Sequence, residues 1–471
     1  MSLASLLLLS GVFASQPRQV SLEQALELAA AQNPRIEIAE LGVDAAHAGA
    51  NSVRSYLLPT LSVEGNALWW DEASEVPYSE FLGPLTDGVA CADLEELYQD
   101  FCQTFLDGMA GSLDGGITLR DAHTRQVRAT VVQPLTGLYG IEEGWRASKA
   151  LERSARAQAD DVAGQVALEV VEAWFEAAKV VKLERVAAQG LEALDAHKAR
   201  ARAFYEAGMV GRNELLQLEV ALSELRLDHQ RAQVGIALTR RRLALVTGSQ
   251  ERSLSPTTVD IERLPELGIG RNVMRGGAGD IPSVRALEAQ AEAALANRNR
   301  LHAERIPQIA AIAAYERNWG VGSLAIPESW FVGFGMEWEV WGWGRKHYDA
   351  QQAALQARQA QAGVEAMRDG MTLQAEALLE EAKLALQARD ARGVSRQQAE
   401  ENSRIVRAKF DAHTATATEL LEAETLHNKA ATDEIVSAFD YLVAVARLQN
   451  ALGVAVDPYR GLAPERASAA Q

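Results

Sequence analysis

No proline occurs between Pro134 and Pro256, and none between Pro327 and Pro458. Proline ends helices because it lacks an N–H and its ring collides with the preceding turn. These two runs therefore leave room for helices far longer than a compact domain needs. Their periodicity says that the room is used. Val166, Val170, Ala173, Ala177, Val180, Glu184, Ala187, Leu191 and Leu194 alternate steps of four and three. After the break "EAGMVGRN" (206–213), Leu215, Leu218, Leu222, Leu225, His229, Ala232, Ile236, Thr239, Leu243 and Val246 do the same. Such seams belong to two coiled helices joined by a tight glycine-containing turn. The ascending arm, 141–205, would extend about 100 Å at about 1.5 Å per residue. That is the length of a spacer, a filament or the wall of a tube.

The chain also repeats itself. "NELLQLE" (213–219) is answered by "TELLEAE" (418–424). At the same offset Tyr205 answers to Phe410, Gly208 to His413, "LVTG" (245–248) to "NALG" (450–453), and "PLTG" (134–137) to "EVWG" (339–342). Pro34 and Pro59 enclose a segment whose counterpart lies between Pro282 and Pro307, but this pair sits at a larger offset. The first copy therefore carries an insertion between Pro59 and Pro134.

Strands flank the helical runs. In "SWFVGFGMEWEVW" (329–341), Trp330, Val332, Phe334, Met336, Trp338 and Val340 share one face, while Gly333, Gly335, Glu337 and Glu339 lie on the other with Phe331. Apolar outside with aromatics at both ends, and small or charged inside, is the pattern of a transmembrane β-barrel strand. "PTLSVEGNALWWD" (59–71) repeats it; "QIAAIAAYERNW" (308–319) and "HTRQVRATVVQP" (123–134) are weaker, with ambiguous register. A half-buried strand of a soluble sandwich is the plainer alternative. Against it, Trp69, Trp70, Trp319, Trp330, Trp338, Trp341 and Trp343 all lie in or beside these strands. Lipid tolerates no open sheet edge, since each unpaired backbone group there costs several kcal/mol. Four strands cannot close a barrel, so copies of the chain must pool theirs. Three copies, the favoured count, supply twelve strands and gather twelve helical arms into a second tube; two copies are not excluded by the arithmetic alone.

Composition narrows the function. Hydrophobic residues make up 48% and the net charge is −18. Nucleic acid demands a basic face, so such a partner is disfavoured. "MSLASLLLLSGVFASQ" resembles an export signal, with residues 1–14 removed and no basic leader. An ordinary apolar N-terminus is the alternative. No metal-ligand pair, nucleophile elbow or phosphate loop occurs, and "GWGRKH" (342–347) is a strand-to-helix turn. The chain is expected to be no enzyme and to need no cofactor.

Taken in order, "SLEQALELAAAQNPRI" (21–36), "LLPTLSV" (57–63), "QPLTGLYG" (133–140), "YEAGMVGRNELL" (205–216) and "LVTG" (245–248) resemble the outer membrane efflux protein family, the TolC-like channel-tunnels of Gram-negative bacteria. The resemblance covers Val20 to Val454 and implies a mainly α chain with a β-barrel portion. It would be two-fold repeated, four-stranded per protomer, and closed as a homotrimer into a twelve-stranded barrel. The expected layout is equatorial segments at 15–58 and 249–306, and a first strand pair at 59–134 with an extracellular insertion at 71–122. A first helical hairpin follows at 135–248, a second strand pair at 307–341, a second hairpin at 342–453, and an equatorial tail at 454–471. The implied partners are outer membrane lipid, a periplasmic adaptor and an inner-membrane transporter. The implied function is the passive exit duct of an efflux or type I secretion system. A periplasmic coiled-coil scaffold that never spans a membrane is the competing reading.

The resemblance also assigns residues. Glu419 and Glu422, three apart on one helix face, fall on the acidic positions that ring the periplasmic entrance. The first copy offers Glu214 and Gln217 there, so one charge persists. A solvated acidic face is the alternative. Tyr205, Gly208, Met209, Val210, Gly211, Phe410 and His413 would form adaptor-contacting tips. His413 departs from the usual glycine, and Ala415 stands where a basic gate residue is common. Trp69, Trp70, Trp319, Trp330, Trp338 and Trp341 would girdle the barrel. Within the insertion, Cys91 and Cys102, the only cysteines, suggest one disulfide in an exported chain; two free thiols, or metal ligands without partners, are the alternatives.

Overall fold

The computed structural model describes residues 17–78, 91, 95–112, 116–259, 261, 264, 281–322 and 325–459. The export signal expected at 1–14 lies outside these, as do most of 260–280 and the end of the C-terminal tail. Among the described residues the elements run β1 (Arg18–Val20), α1 (Leu22–Gln32), α2 (Pro34–Ser55), β2 (Thr60–Trp69), β3 (Ser74–Pro77), α3 (Glu96–Ser112) and β4 (Gly116–Pro134). Then come α4 (Leu138–Glu206), α5 (Arg212–Val246), β5 (Leu254–Pro256), α6 (Pro282–Ala303), β6 (Gln308–Val321), β7 (Glu328–Glu337), α7 (Arg345–Asp411) and α8 (Ala417–Ala451). The chain divides into two compact units, one of residues 1–47, 150–292 and 358–471, the other of 48–149 and 293–357.

The first unit is built on the two helical hairpins. Its α4 and α7 belong to helices of 69 and 67 residues, while α5 and α8 have 35 each. The seams pack as their period dictates, down to the polar members: Glu184 Oε1 and His229 Nε2 meet at 3.0 Å. The main core gathers Val166, Val170, Trp174 and Phe175 of α4 with Phe439 and Leu442 of α8. Phe175 meets Phe439 edge-on at 6.0 Å, a favoured aromatic geometry. The short elements are tied to this core by specific bonds. Trp174 Nε1 donates to the Val20 carbonyl at 3.1 Å, and β1 pairs in parallel with β5. Ser21 and Gln24 close a capping box at the start of α1.

The second unit holds one antiparallel sheet in the order β2-β4-β6-β7. Four strands were expected, and the sheet has five. The extra one, β3, pairs with the far end of β4, where the insertion prolongs β4 beyond its neighbours. No alternation marks "SEVP", so nothing in the sequence distinguished it from a loop. The strand expected at 329–341 ends at Glu337, which leaves Trp338 and Trp341 beyond it in the turn to α7. That turn passes through Trp343 at φ 54° and Gly344 at φ 82°. At the opposite end Gly320, at φ 73°, passes so close to β4 that a Cβ would run into the His123 carbonyl.

The register settles both weak strands. Opposed residues project to the same side. Leu61↔Val131↔Ala313↔Val332 and Val63↔Ala129↔Tyr315↔Trp330 therefore lie on one face, and Glu64↔Arg128↔Glu316↔Ser329 on the other.

Candidate functional sites

One face of the sheet is apolar and open. Leu61, Val63, Trp69, Val127, Val131, Trp319, Trp330, Val332, Phe334 and Met336 are all exposed on it, Trp330 at 74% and Phe334 at 78%. Ordinary soluble surfaces do not leave so many large apolar side chains contiguous. Trp70 is a correction: it falls on the polar face instead, where its Nε1 donates to Thr124 Oγ1 at 3.1 Å and Arg120 stacks 3.7 Å above its ring.

The polar face is laced across three strands. Glu316 accepts from Arg128 at 2.5 and 2.9 Å, from Gln126 at 2.7 Å and from Asn318 at 2.8 Å, and Asn66 passes the chain on to Gln126 at 3.1 Å. A carboxylate with that many donors is held in one rotamer and presents a hydrophilic wall. These residues escaped the sequence reading because the register of 123–134 and 308–319 was ambiguous there.

At the hairpin ends the tip residues separate. Gly208 takes φ 74° and Met209 is 54% exposed, while Val210 is half-buried and Gly211 is the N-cap of α5. Tyr205 is exposed, as is His413, whose φ is 57° and whose ring lies edge-on to Phe204 at 4.3 Å. Phe410 must be withdrawn from the contact surface. It is 2% exposed in a cluster with Leu194, Ala201, Leu218, Leu222 and Leu420, so it supports the turn from beneath.

Glu419 and Glu422 are both exposed near the start of α8. Glu419 is also the capping residue: its carboxylate accepts from the Thr416 N–H at 2.8 Å while Thr416 Oγ1 accepts from the Glu419 N–H at 3.2 Å. The Thr416 backbone donor, then its hydroxyl, hold the Glu419 carboxyl below the usual range. Its counterpart Glu214 crosses to the other hairpin and accepts from the Ala417 N–H at 3.3 Å. Glu422 borders a small cavity of about 360 Å³ with Leu426 and Lys429.

The heptad's third acid, Glu424, was not singled out by sequence. It is buried, and it accepts from Arg407 at 2.7 Å through one oxygen and from Arg407 and Ser403 through the other, with His197 Nε2 at 3.5 Å. Burial acts to raise its pKa; the Arg407 and His197 bonds outweigh burial and hold it down to about 2. Glu424 and Arg407 also border a cavity of about 1050 Å³ together with Lys182, Arg185 and Arg396. In the insertion, Cys91 and Cys102 form a disulfide with Cα atoms 5.7 Å apart.

Among the described residues, no group of His, Cys, Asp and Glu could hold a metal ion, and no helix is long and apolar enough to cross a membrane. No family model and no curated protein matches the chain. Solved structures do. The chain superposes on CusC, described with its transmembrane channel formation, at a TM-score of 0.75 over 93% of each chain with 15% identity. The chain has the fold of an outer membrane channel protomer. The open-state MtrE outer membrane channel of Neisseria gonorrhoeae matches at 0.72 with 16% identity, over 93% of this chain and 90% of that one. The outer membrane protein VceC of Vibrio cholerae matches at 0.69 with 15% identity, over 93% and 97%. These are TolC-like outer membrane efflux channels, and the mainly helical chain with its sheet portion matches their fold.

Proposed function

We propose that three copies of this chain form a channel through the outer membrane of a Gram-negative bacterium and extend into the periplasm as a passive exit duct. The observation that carries this reading is the sheet. β2 and β7 each keep an unpaired edge within the chain, beside a wide exposed apolar face. Pairing the β7 edge of one copy with the β2 edge of the next removes every edge. It also turns the apolar face to lipid and the Glu316 network to water. A periplasmic scaffold would have no use for Trp330, Val332, Phe334 and Met336 exposed in a row. The duct docks at the exposed parts of its tips, Tyr205, Met209 and His413, on a periplasmic adaptor fed by an inner-membrane pump. Glu419 and Glu422 of three copies ring the entrance. The fold of CusC, MtrE and VceC supports the same reading by analogy. The test is to extract the protein from isolated outer membranes in detergent, weigh it, and record it in planar bilayers. A trimer with stepwise conductance is expected; a monodisperse monomer in detergent-free buffer overturns the reading.

A further inference from the structure

The apolar face of the sheet is interrupted by charged side chains, Arg125, Arg317 and Glu328, at one end only. Ala67↔Arg125↔Trp319 and Gly65↔Val127↔Arg317 place Arg125 and Arg317 on the side that carries Leu61, Val63 and Trp330. Both side chains are exposed, and His123 continues the row opposite Trp69. Arginine facing the bilayer midplane costs roughly 2–4 kcal/mol, falling to about 0–1 at the interface. Their level on the strands is therefore informative. From Ile309 to Trp319 the face extends roughly 33 Å along β6 at about 3.3 Å per residue, or roughly 24 Å once tilted. That matches a lipid-facing band about 25 Å tall. Trp319 and its neighbour Arg125 thus mark the band's edge, on the side of the β6–β7 hairpin. Arg317 starts one rung deeper, and its guanidinium reaches toward that edge, lying over the Trp319 ring at 5.2 Å.

One carboxylate, Glu328, shares the rung of Arg317 on this face without bonding it. Glu328 instead accepts the Tyr315 hydroxyl at 2.7 Å. Among the described residues, neither Arg125 nor Arg317 makes an ion pair, although fourteen other arginines do at 3.0 Å or less. Two planar forks at headgroup depth, backed by indole rings, suit one chemistry: a phosphate that each fork can grip through paired N–H donors.

We propose that Arg125 and Arg317 bind the phosphate of an anionic phosphoglycolipid in the outer leaflet, one site per protomer. The proposal rests on the membrane-spanning reading, and its test is arranged to separate the two. Wild-type protein and the Arg125→Gln/Arg317→Gln variant are purified in dodecyl maltoside and titrated with diphosphorylated lipid A, with its dephosphorylated form, and with inorganic phosphate. Bound lipid is counted by native mass spectrometry. Wild type should bind the phosphorylated lipid at least about tenfold more tightly per arginine than the variant, since a charge-assisted bond is worth that factor. It should bind the dephosphorylated lipid no better than the variant does. Inorganic phosphate should not compete at equal concentration. Equal binding of phosphorylated lipid by both proteins overturns the site, and so does full competition by inorganic phosphate. The single variants Arg125→Gln and Arg317→Gln give the same readout should the double variant fail to assemble. Both proteins should conduct in bilayers; conductance with unaltered lipid binding sinks this site alone, whereas absence of membrane insertion by wild type sinks the channel.

Discussion

At the scale of single residues, Glu424 concentrates the electrostatics of the hairpin ends. It is an acid in a helix interface, and such a group survives only when its lone pairs are filled. Arg407, Ser403 and His197 fill them. Because its folded pKa is depressed to about 2, the stabilisation is complete above the ordinary glutamate range and is lost as pH falls from about 5 toward 2. The depression corresponds to on the order of 3 kcal/mol. Glu424→Gln should therefore lower the thermal midpoint at pH 7 and flatten its decline between pH 5 and pH 3, as thermal scans by circular dichroism at several pH values would record. A variant that loses stability in parallel with wild type across that window would remove Glu424 from the account. Glu424 shares its heptad with Glu419 and Glu422, and sequence alone did not separate the three. The difference lies in what α4 and α7 bring to each position, which no local pattern encodes.

At the scale of elements, legibility followed period. The long helices and the strand around Val332 were readable because apolar residues recur at one fixed spacing over many turns or rungs. The weak strands β4 and β6 were found but not oriented, because alanine and arginine satisfy either face until a neighbour fixes the register. β3 was missed for want of any alternation. Tyr205 and Phe410 stand at equivalent places in the repeat, yet one is exposed and the other buried. The two hairpins are thus alike in sequence and unlike in packing. Their turns differ too, since Gly208 takes the left-handed conformation freely whereas His413 holds it with its ring against Phe204. Gly208→Ala should cost about 1 kcal/mol, because a Cβ is disfavoured at that φ even though no neighbouring atom crowds it. Amide exchange should quicken in residues 204–212 and stay unchanged around 410–416. Equal protection in both proteins would mean that the turn's glycine is not used for its φ.

At the scale of the whole molecule, the proposed trimer converts side chains that are unremarkable in one copy into rings. Glu419 and Glu422 then contribute six carboxylates to one constriction. Each attracts a cation by about 0.7 kcal/mol at roughly 6 Å in water, and the ring multiplies the effect. The capping bond adds a constraint on how the ring can be tested. Because the Thr416 N–H holds the Glu419 carboxyl below its usual range, its charge should persist as the pH drops through the ordinary glutamate values. Cation selectivity should accordingly outlast mild acidification. Glutamine can occupy the same place in a capping box and is close to glutamate in helix propensity. Glu419→Gln with Glu422→Gln should thus leave trimer yield nearly unchanged while moving the reversal potential in planar bilayers toward the non-selective value. Raising the salt should carry wild type in the same direction, since exposed charges are screened over about 10 Å at 0.1 M. Loss of the trimer in the double variant would reassign these glutamates to folding, and an unshifted reversal potential with intact trimer would return them to an ordinary solvated helix face.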